Sequence, residues 1–70
     1  MERHRIEDMD NWLAWKRRII DGGFTLWQTQ YNWNLPEGLI VGFINVEDHQ
    51  RFEIVTHNQK IAEDIHNSDF

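Results

Sequence analysis

The spacing of apolar residues predicts a helix near the start of the chain. Between residues 6 and 20 they recur every three or four positions, which is the period of an amphipathic helix. Asp8 or Asp10 suits the start of this helix, and Gly22 and Gly23 supply the permissive backbone at which helices end. The apolar positions form two edges, of which we expect the first to pack on a sheet and the second to meet another surface. The first edge consists of Ile6, Met9, Leu13 and Ile20, and the second consists of Trp12, Trp15 and Ile19.

Three strands are predicted after this helix. Residues 24–31 are rich in aromatic and β-branched side chains, and residues 32–38 contain the Asn, Pro and Gly that mark turns. Residues 39–46 and 51–56 predict a hairpin with a four-residue polar loop, in which Val46 lies opposite Arg51 and Val41 lies opposite Thr56. This register places one set of apolar side chains on a common face: Leu39, Val41, Phe43, Phe52 and Ile54.

A short helix is predicted at the end of the chain. Residues 56–59 resemble a capping box, with Asn58 as a competing N-cap, and Ile61, Ala62 and Ile65 form a narrow apolar stripe. We expect roughly five residues at the start and four at the end to be frayed. The prediction is therefore an α+β fold of order α-β-β-β-α, with a three-stranded antiparallel sheet and two helices packed on one face. Residues 1–70 are expected to form a single small domain.

The second face of the predicted sheet is also apolar, because Ile40, Ile44, Val46 and Val55 lie on it. An antiparallel sheet with one solvated face normally alternates apolar and polar residues. Either these are scattered exposed aliphatic residues, or this face is a buried interface with a second copy or a partner protein. Trp27, Tyr31 and Trp33 share one strand parity, and Trp33 is the best candidate for an exposed contact. The predicted interaction residues are Trp12, Trp15, Ile19, Trp33, Ile40, Ile44, Val46 and Val55.

The charge distribution disfavours nucleic acid as a partner. The formal net charge is −5, and residues 24–70 carry the whole excess, because only Arg51 and Lys60 face seven acidic residues there. Such a surface repels a phosphate backbone. A nucleic-acid-binding module remains the alternative, and it would use Arg17, Arg18, Lys60 and Trp33. A further variant is mimicry of DNA by the acidic residues of 24–70.

Motifs for chemistry are absent from the sequence. The chain has no cysteine, which excludes disulfides and thiolate zinc sites. Its four histidines lack the spacing of a metal site, and there is no Ser/His/Asp grouping or glycine-rich phosphate loop. We therefore expect no catalytic site, no cofactor and no metal, and hence no enzyme.

Membrane and export signals are also missing. The longest largely apolar stretch, residues 39–46, is far shorter than the roughly 20 residues of a membrane-spanning helix. The first residues lack the apolar segment of a signal peptide. We expect a cytoplasmic protein that makes no membrane contact.

The predicted element order resembles that of the double-stranded-RNA-binding domain over nearly the whole chain. That family uses a His in the loop between its first two strands and lysines at the start of its second helix. Here the loop of residues 32–38 contains Glu37 and no His, and residues 57–60 contain only Lys60. The resemblance is one of element order, and it assigns no binding residue.

These patterns together predict a small cytoplasmic protein-interaction module that binds a partner protein, with a homodimer as one form. Short, acidic, cysteine-free chains of this kind look like accessory proteins of phages and mobile elements.

Overall fold

In the part of the chain that the structure describes, two helices and one four-stranded sheet make up an α+β fold. The computed structural model describes residues 2–70. The sheet order is β1-β4-β3-β2; β1 runs parallel to β4, and the other neighbouring strands are antiparallel. In chain order the elements are β1 (Glu2–Arg5), α1 (Met9–Asp21), β2 (Phe24–Asn32), β3 (Gly38–Asn45), β4 (Arg51–Thr56) and α2 (Gln59–Asn67).

Strand β1 corrects the predicted three-stranded sheet and the predicted α-β-β-β-α order. Residues that we expected to be frayed pair with β4, from Glu2 opposite Phe52 to Arg5 opposite Val55. Every residue of β1 is charged or His, so no apolar alternation marks it as a strand. Because the observed order begins with this extra strand, the likeness to the double-stranded-RNA-binding domain does not extend over the chain.

The hairpin of β3 and β4 forms with a register two residues away from the predicted one. Arg51 lies opposite Ile44 instead of Val46, and Thr56 lies opposite Leu39 instead of Val41. The loop therefore covers residues 46–50. A shift of two residues leaves every side chain on its predicted face, because side chains alternate with a period of two. Val46 is the exception, since it leaves the strand and becomes exposed.

The core lies between the sheet and the two helices. The two predicted edges are used differently from the prediction: Trp12 and Ile19 of the second edge are buried, whereas Leu13 and Ile20 of the first are 47% and 55% exposed. Ile6 of the first edge lies before α1 and is buried as well. Trp12 can be buried because its Nε1 donates to Asp64 Oδ2 of α2 at 2.7 Å. The cluster of buried residues contains Ile6, Trp12, Ile19, Leu39, Val41, Phe43, Ile54, Ile61, Ala62 and Ile65.

Both helices begin at predicted capping residues. The Asp8 side chain accepts from Asn11 N at 3.0 Å, which makes Asp8 the N-cap of α1. The Asn58 side chain accepts from the backbone N–H groups of Lys60 and Ile61, so Asn58 and not Thr56 caps α2.

Glu7 joins the segment before α1 to the junction between β4 and α2. Its Oε1 accepts from Thr56 Oγ1 at 2.7 Å, from His57 N at 2.7 Å and from Asn58 N at 3.1 Å. The other oxygen, Oε2, pairs with Arg5 Nη1 at 2.8 Å. Partial burial raises the pKa of Glu7, but these hydrogen bonds outweigh it and lower the pKa below its ordinary value of 4.5.

We expect Glu7→Ala to lower the free energy of unfolding by about 1–2 kcal/mol near neutral pH. The loss is at the lower end for a charged group because the Glu7 side chain is 43% exposed. A lowered folded-state pKa means that the carboxylate stabilises fully above 4.5 and loses its effect as pH falls through the folded value. Urea unfolding should therefore show the gap between wild type and variant closing toward acid pH. Glu63→Ala, at an exposed position of α2, is the control, and an equal loss there would contradict this role for Glu7.

Candidate functional site

The predicted interaction residues do not form one accessible surface. Trp12, Ile19 and Val55 are buried, so this structure leaves no side-chain surface of theirs for a partner. Trp12 and Ile19 fill the core under the sheet. Three others, Trp15, Ile40 and Ile44, are half-buried, and only Trp33 and Val46 are exposed. We predicted a surface that combines the outer sheet face with one edge of the first helix. The structure leaves only separate exposed positions of it.

Part of the outer sheet face is covered by Trp27. The register of β2 against β3 shifts between Leu26 and Gln28, so Trp27 is the extra residue of a bulge. A Cβ built on Gly42 would lie 2.6 Å from Trp27 Nε1, which places the indole directly over β3. The guanidinium of Arg51 lies 5.5 Å from the centre of the Trp27 ring. The bulge therefore separates Trp27 from Tyr31 and Trp33, which the strand parity had grouped with it.

Strand β2 is an edge strand with an unusual composition. It pairs with β3 on one side, and residues 24–31 form no other backbone hydrogen bond within the described part of the chain. Residues 22–36 contain no charged residue, although 27% of the chain is charged. Natural edge strands are usually protected by charge, proline or a bulge. Here the bulge at Trp27 is the one such device in β2, and residues 28–32 beyond it are exposed and regularly paired.

Exposed aromatic side chains lie at the end of this edge. The Tyr31 and Trp33 ring centres are 5.9 Å apart, and the Trp33 and His57 ring centres are 5.8 Å apart. His57 Nε2 lies 2.7 Å from Leu35 O, which attaches the loop of residues 33–37 to the junction between β4 and α2. A shallow groove of about 310 Å³ separates Tyr31 and Trp33 from α2. The open backbone edge and the exposed aromatic rings are therefore continuous.

The candidate nucleic-acid residues are not gathered in one groove. Arg17 pairs with Asp21 at 3.8 Å, and Arg18 lines a groove beside β4. Trp33 lines a different groove, together with Glu63 of α2. Lys60 lies in the first turn of α2 and lines neither groove. This arrangement lacks the continuous basic stripe that tracks a phosphate backbone.

The carboxylates whose pKa is lowered accept hydrogen bonds that join elements of the fold. Besides Glu7, the pKa of Asp64 is lowered, first by the hydrogen bond from Trp12 and then by Lys16, whose Nζ lies 3.0 Å from Asp64 Oδ2. These contacts join α1 to α2. Among residues 2–70, no three His, Asp or Glu side chains are grouped as metal ligands would be.

Neither helix in the described part of the chain has the length and apolarity needed to span a bilayer.

Comparison with known proteins finds no matching family model, no matching curated protein and no matching solved structure.

Proposed function

We propose that this chain is a small protein-interaction module that binds its partner through the open edge of β2. The observation that supports this proposal is a nine-residue edge strand, exposed at seven of its residues, without a charged residue and without a second backbone partner. An unpaired edge presents N–H and C=O groups that an extended segment of another chain can complete as a further strand. The exposed rings of Tyr31 and Trp33 add apolar contact beside it.

A second copy of this chain is the partner that we propose for this edge. Two β2 strands meeting antiparallel across a twofold axis bring no like charges together, because residues 22–36 are uncharged. The pairing extends the sheet continuously from one copy to the other. Such a contact uses the edge of the sheet rather than its outer face, where Trp27 and the Arg3–Glu53 ion pair already cover the strands.

The cellular role that we propose is that of a cytoplasmic accessory protein of the phage or mobile-element type, acting on a host protein without catalysis. Its support is the small size, the net charge of −5 and the absence of cysteine. Host pull-down with mass spectrometry identifies the host protein.

Self-association is tested by light scattering over a dilution series from about 500 μM to about 5 μM, where mass action shifts a dimer toward monomer. We expect dimers at the upper end. Gln28→Lys with Gln30→Lys should weaken the dimer at least tenfold, because each substitution adds a charge to the exposed outer side of the edge strand. Circular dichroism should show both proteins folded.

Gln50→Lys is the matched control, since it makes the same change at an exposed position in the loop between β3 and β4. It should leave the dimer unchanged. A wild-type protein that is monomeric at about 500 μM, or equal weakening by Gln50→Lys, would overturn assembly through β2.

A further inference from the structure

The groove between α2 and the exposed rings of Tyr31 and Trp33, called the α2 groove below, has two different walls. Tyr31 lies opposite the core residue Leu39, so its side chain is on the face of the sheet that α2 covers. The groove volume of about 310 Å³ is at the small end of the range of ligand sites. The wall opposite the rings is one stripe of α2, spaced three or four residues apart: Gln59, Ala62, Glu63, His66 and Asn67.

The charge on the lining of the α2 groove is negative. Glu63 is its only Asp or Glu, and no Lys or Arg of residues 2–70 lines it. His66 is formally neutral at pH 7. Glu63 is exposed and forms no ion pair within 4.0 Å with a described residue, including Lys60 one turn earlier in α2. The groove therefore contains a carboxylate that the fold leaves without a counter-charge.

The groove between α1 and β4, which Trp15 and Phe52 line, differs in this respect. Glu2, Arg18 and Arg51 are all on its lining, so acidic and basic side chains occur there together. The α2 groove has only the acidic one. In a protein of net charge −5, a lone carboxylate beside two exposed aromatic rings favours a positively charged occupant.

Trp33 also differs from the other tryptophans that reach the surface. The Arg18 guanidinium lies 5.6 Å from the Trp15 ring centre, and the Arg51 guanidinium lies 5.5 Å from that of Trp27. No cation of the described residues lies over Trp33 in this way, although its ring is exposed. Since the negative face of an indole attracts cations, the Trp33 ring is the one that is open to a cation from outside the chain.

The arrangement of the two rings favours a rounded cation. The planes of Tyr31 and Trp33 are tilted by 54°, with ring centres 5.9 Å apart, so they form a corner instead of a flat platform. A planar guanidinium can stack on only one of two tilted rings, whereas a group with several methyl groups can contact both. A primary ammonium is strongly hydrated and must lose water to reach the rings. A quaternary ammonium has no N–H to desolvate, and aromatic sites are its usual binding partners.

We infer that the α2 groove binds an alkylated ammonium group, such as that of choline or trimethyllysine. The methyl groups pack in the corner between Tyr31 and Trp33, and Glu63 balances the positive charge. The α2 groove lies on the helix face of the sheet, whereas a second copy would pair with the backbone edge of β2. The two sites are therefore independent, and each can fail without the other.

Choline, titrated into the full chain and followed by NMR, is the first probe. We expect shift changes at the Trp33 indole and the Tyr31 ring, with a dissociation constant of about 1–10 mM. The neutral tert-butyl analogue of choline, in which carbon replaces nitrogen, has the same shape without the charge. It should bind at least about tenfold more weakly, because the attraction to the rings and to Glu63 depends on that charge.

A blocked peptide, acetyl-GKG-amide, identifies the source of the ammonium group. With trimethylated lysine it should bind at least about threefold more tightly than with unmodified lysine, because only the unmodified ammonium must be dehydrated. Tighter binding of the trimethylated peptide than of choline supports the site and assigns the group to a methylated partner protein. Tighter binding of choline supports the site and assigns the group to a small molecule or a lipid headgroup.

Two variants assign binding to the two walls of the groove. Trp33→Ala and Glu63→Gln should each weaken choline binding about threefold to fivefold, the size of one cation–π contact or one exposed ion pair. Trp27→Ala is the matched control for the ring, because Arg51 already covers Trp27. Glu47→Gln is the matched control for the charge, because Glu47 is exposed in the loop between β3 and β4. Both controls should bind choline as wild type does.

Four results contradict this assignment. No shift change at about 50 mM choline overturns the site, as does equal weakening by the control variants. Equal binding of the tert-butyl analogue overturns the requirement for a cation, and equal binding of the unmodified peptide overturns the requirement for alkylation. Unfolding midpoints close to that of wild type exclude loss of folding as the cause of weaker binding in the variants.

Discussion

Trp12→Ala is expected to leave most of the protein unfolded at 25 °C. The indole is fully buried in the cluster between α1, α2 and the sheet. Truncating a buried Trp to Ala costs about 3–5 kcal/mol, which matches the whole stability of roughly 3–5 kcal/mol expected for a domain of this size. The change also removes the hydrogen bond from Nε1 to Asp64, which leaves that carboxylate paired with Lys16 alone. Far-ultraviolet circular dichroism with urea unfolding measures the effect.

Trp33→Ala is the control for this substitution. It makes the same chemical change at a side chain that is 39% exposed and lies in the loop between β2 and β3. We expect the unfolding midpoint of this variant to stay close to wild type, with a cost below about 1 kcal/mol. If the two variants unfold at the same urea concentration, Trp12 is not the centre of the core.

Gly38→Ala is expected to produce the second-largest loss. Gly38 has a φ of +72°, which costs an L-residue with a side chain about 1–2 kcal/mol. A Cβ at this position would also lie 2.7 Å from the backbone oxygen of Thr56, so the start of β3 must move away from β4. Overpacking of this kind adds about 1–3 kcal/mol, and the total of about 2–5 kcal/mol is comparable with the stability of the domain.

Gly23→Ala isolates the contribution of the contact with Thr56. Gly23 has a similar φ of +77°, but a Cβ there would meet no atom within 4 Å. Its substitution should therefore cost only the backbone term of about 1–2 kcal/mol. Thermal and urea unfolding of the two variants side by side measure the difference. Equal losses would show that the close approach of Gly38 to β4 does not matter for stability.

In the hairpin of β3 and β4, the sequence pattern predicts which side chains share a face of the sheet but does not predict the register of the two strands. Because successive side chains of a strand point to opposite faces, residues 39–44 and 51–56 divide into two faces whatever the register, and the side chains of Leu39, Val41, Phe43 and Ile54 are buried as predicted. The observed pairing differs by two residues, because hydrogen bonds within the loop end β3 at Asn45, whose backbone N donates to Gln50 O at 2.9 Å. A period of two makes the faces insensitive to that difference.

Other features depended on contacts between distant parts of the chain. The periodicity of α1 identifies an apolar arc, but Asp64, on α2, provides the partner that allows Trp12 rather than Leu13 to face the core. Strand β1 is polar throughout, and its pairing with β4 joins residues 50 positions apart in sequence. No local pattern reports such a pairing.

The candidate surfaces also depend partly on the sequence and partly on the tertiary structure. The uncharged stretch of residues 22–36 is visible in the sequence, whereas its position at an open edge follows from the strand order, in which β1 occupies the side of β4 and leaves β2 unpaired. The groove that Trp15 and Phe52 line likewise exists only once α1 and β4 are brought together. The sequence by itself determined the α+β class and the two faces of the hairpin, and it narrowed the helix caps to Asp8 or Asp10 and to Thr56 or Asn58, because these depend on local geometry and periodicity. The tertiary structure alone decided which elements are neighbours, and therefore which edge and which helix face remain accessible to a partner.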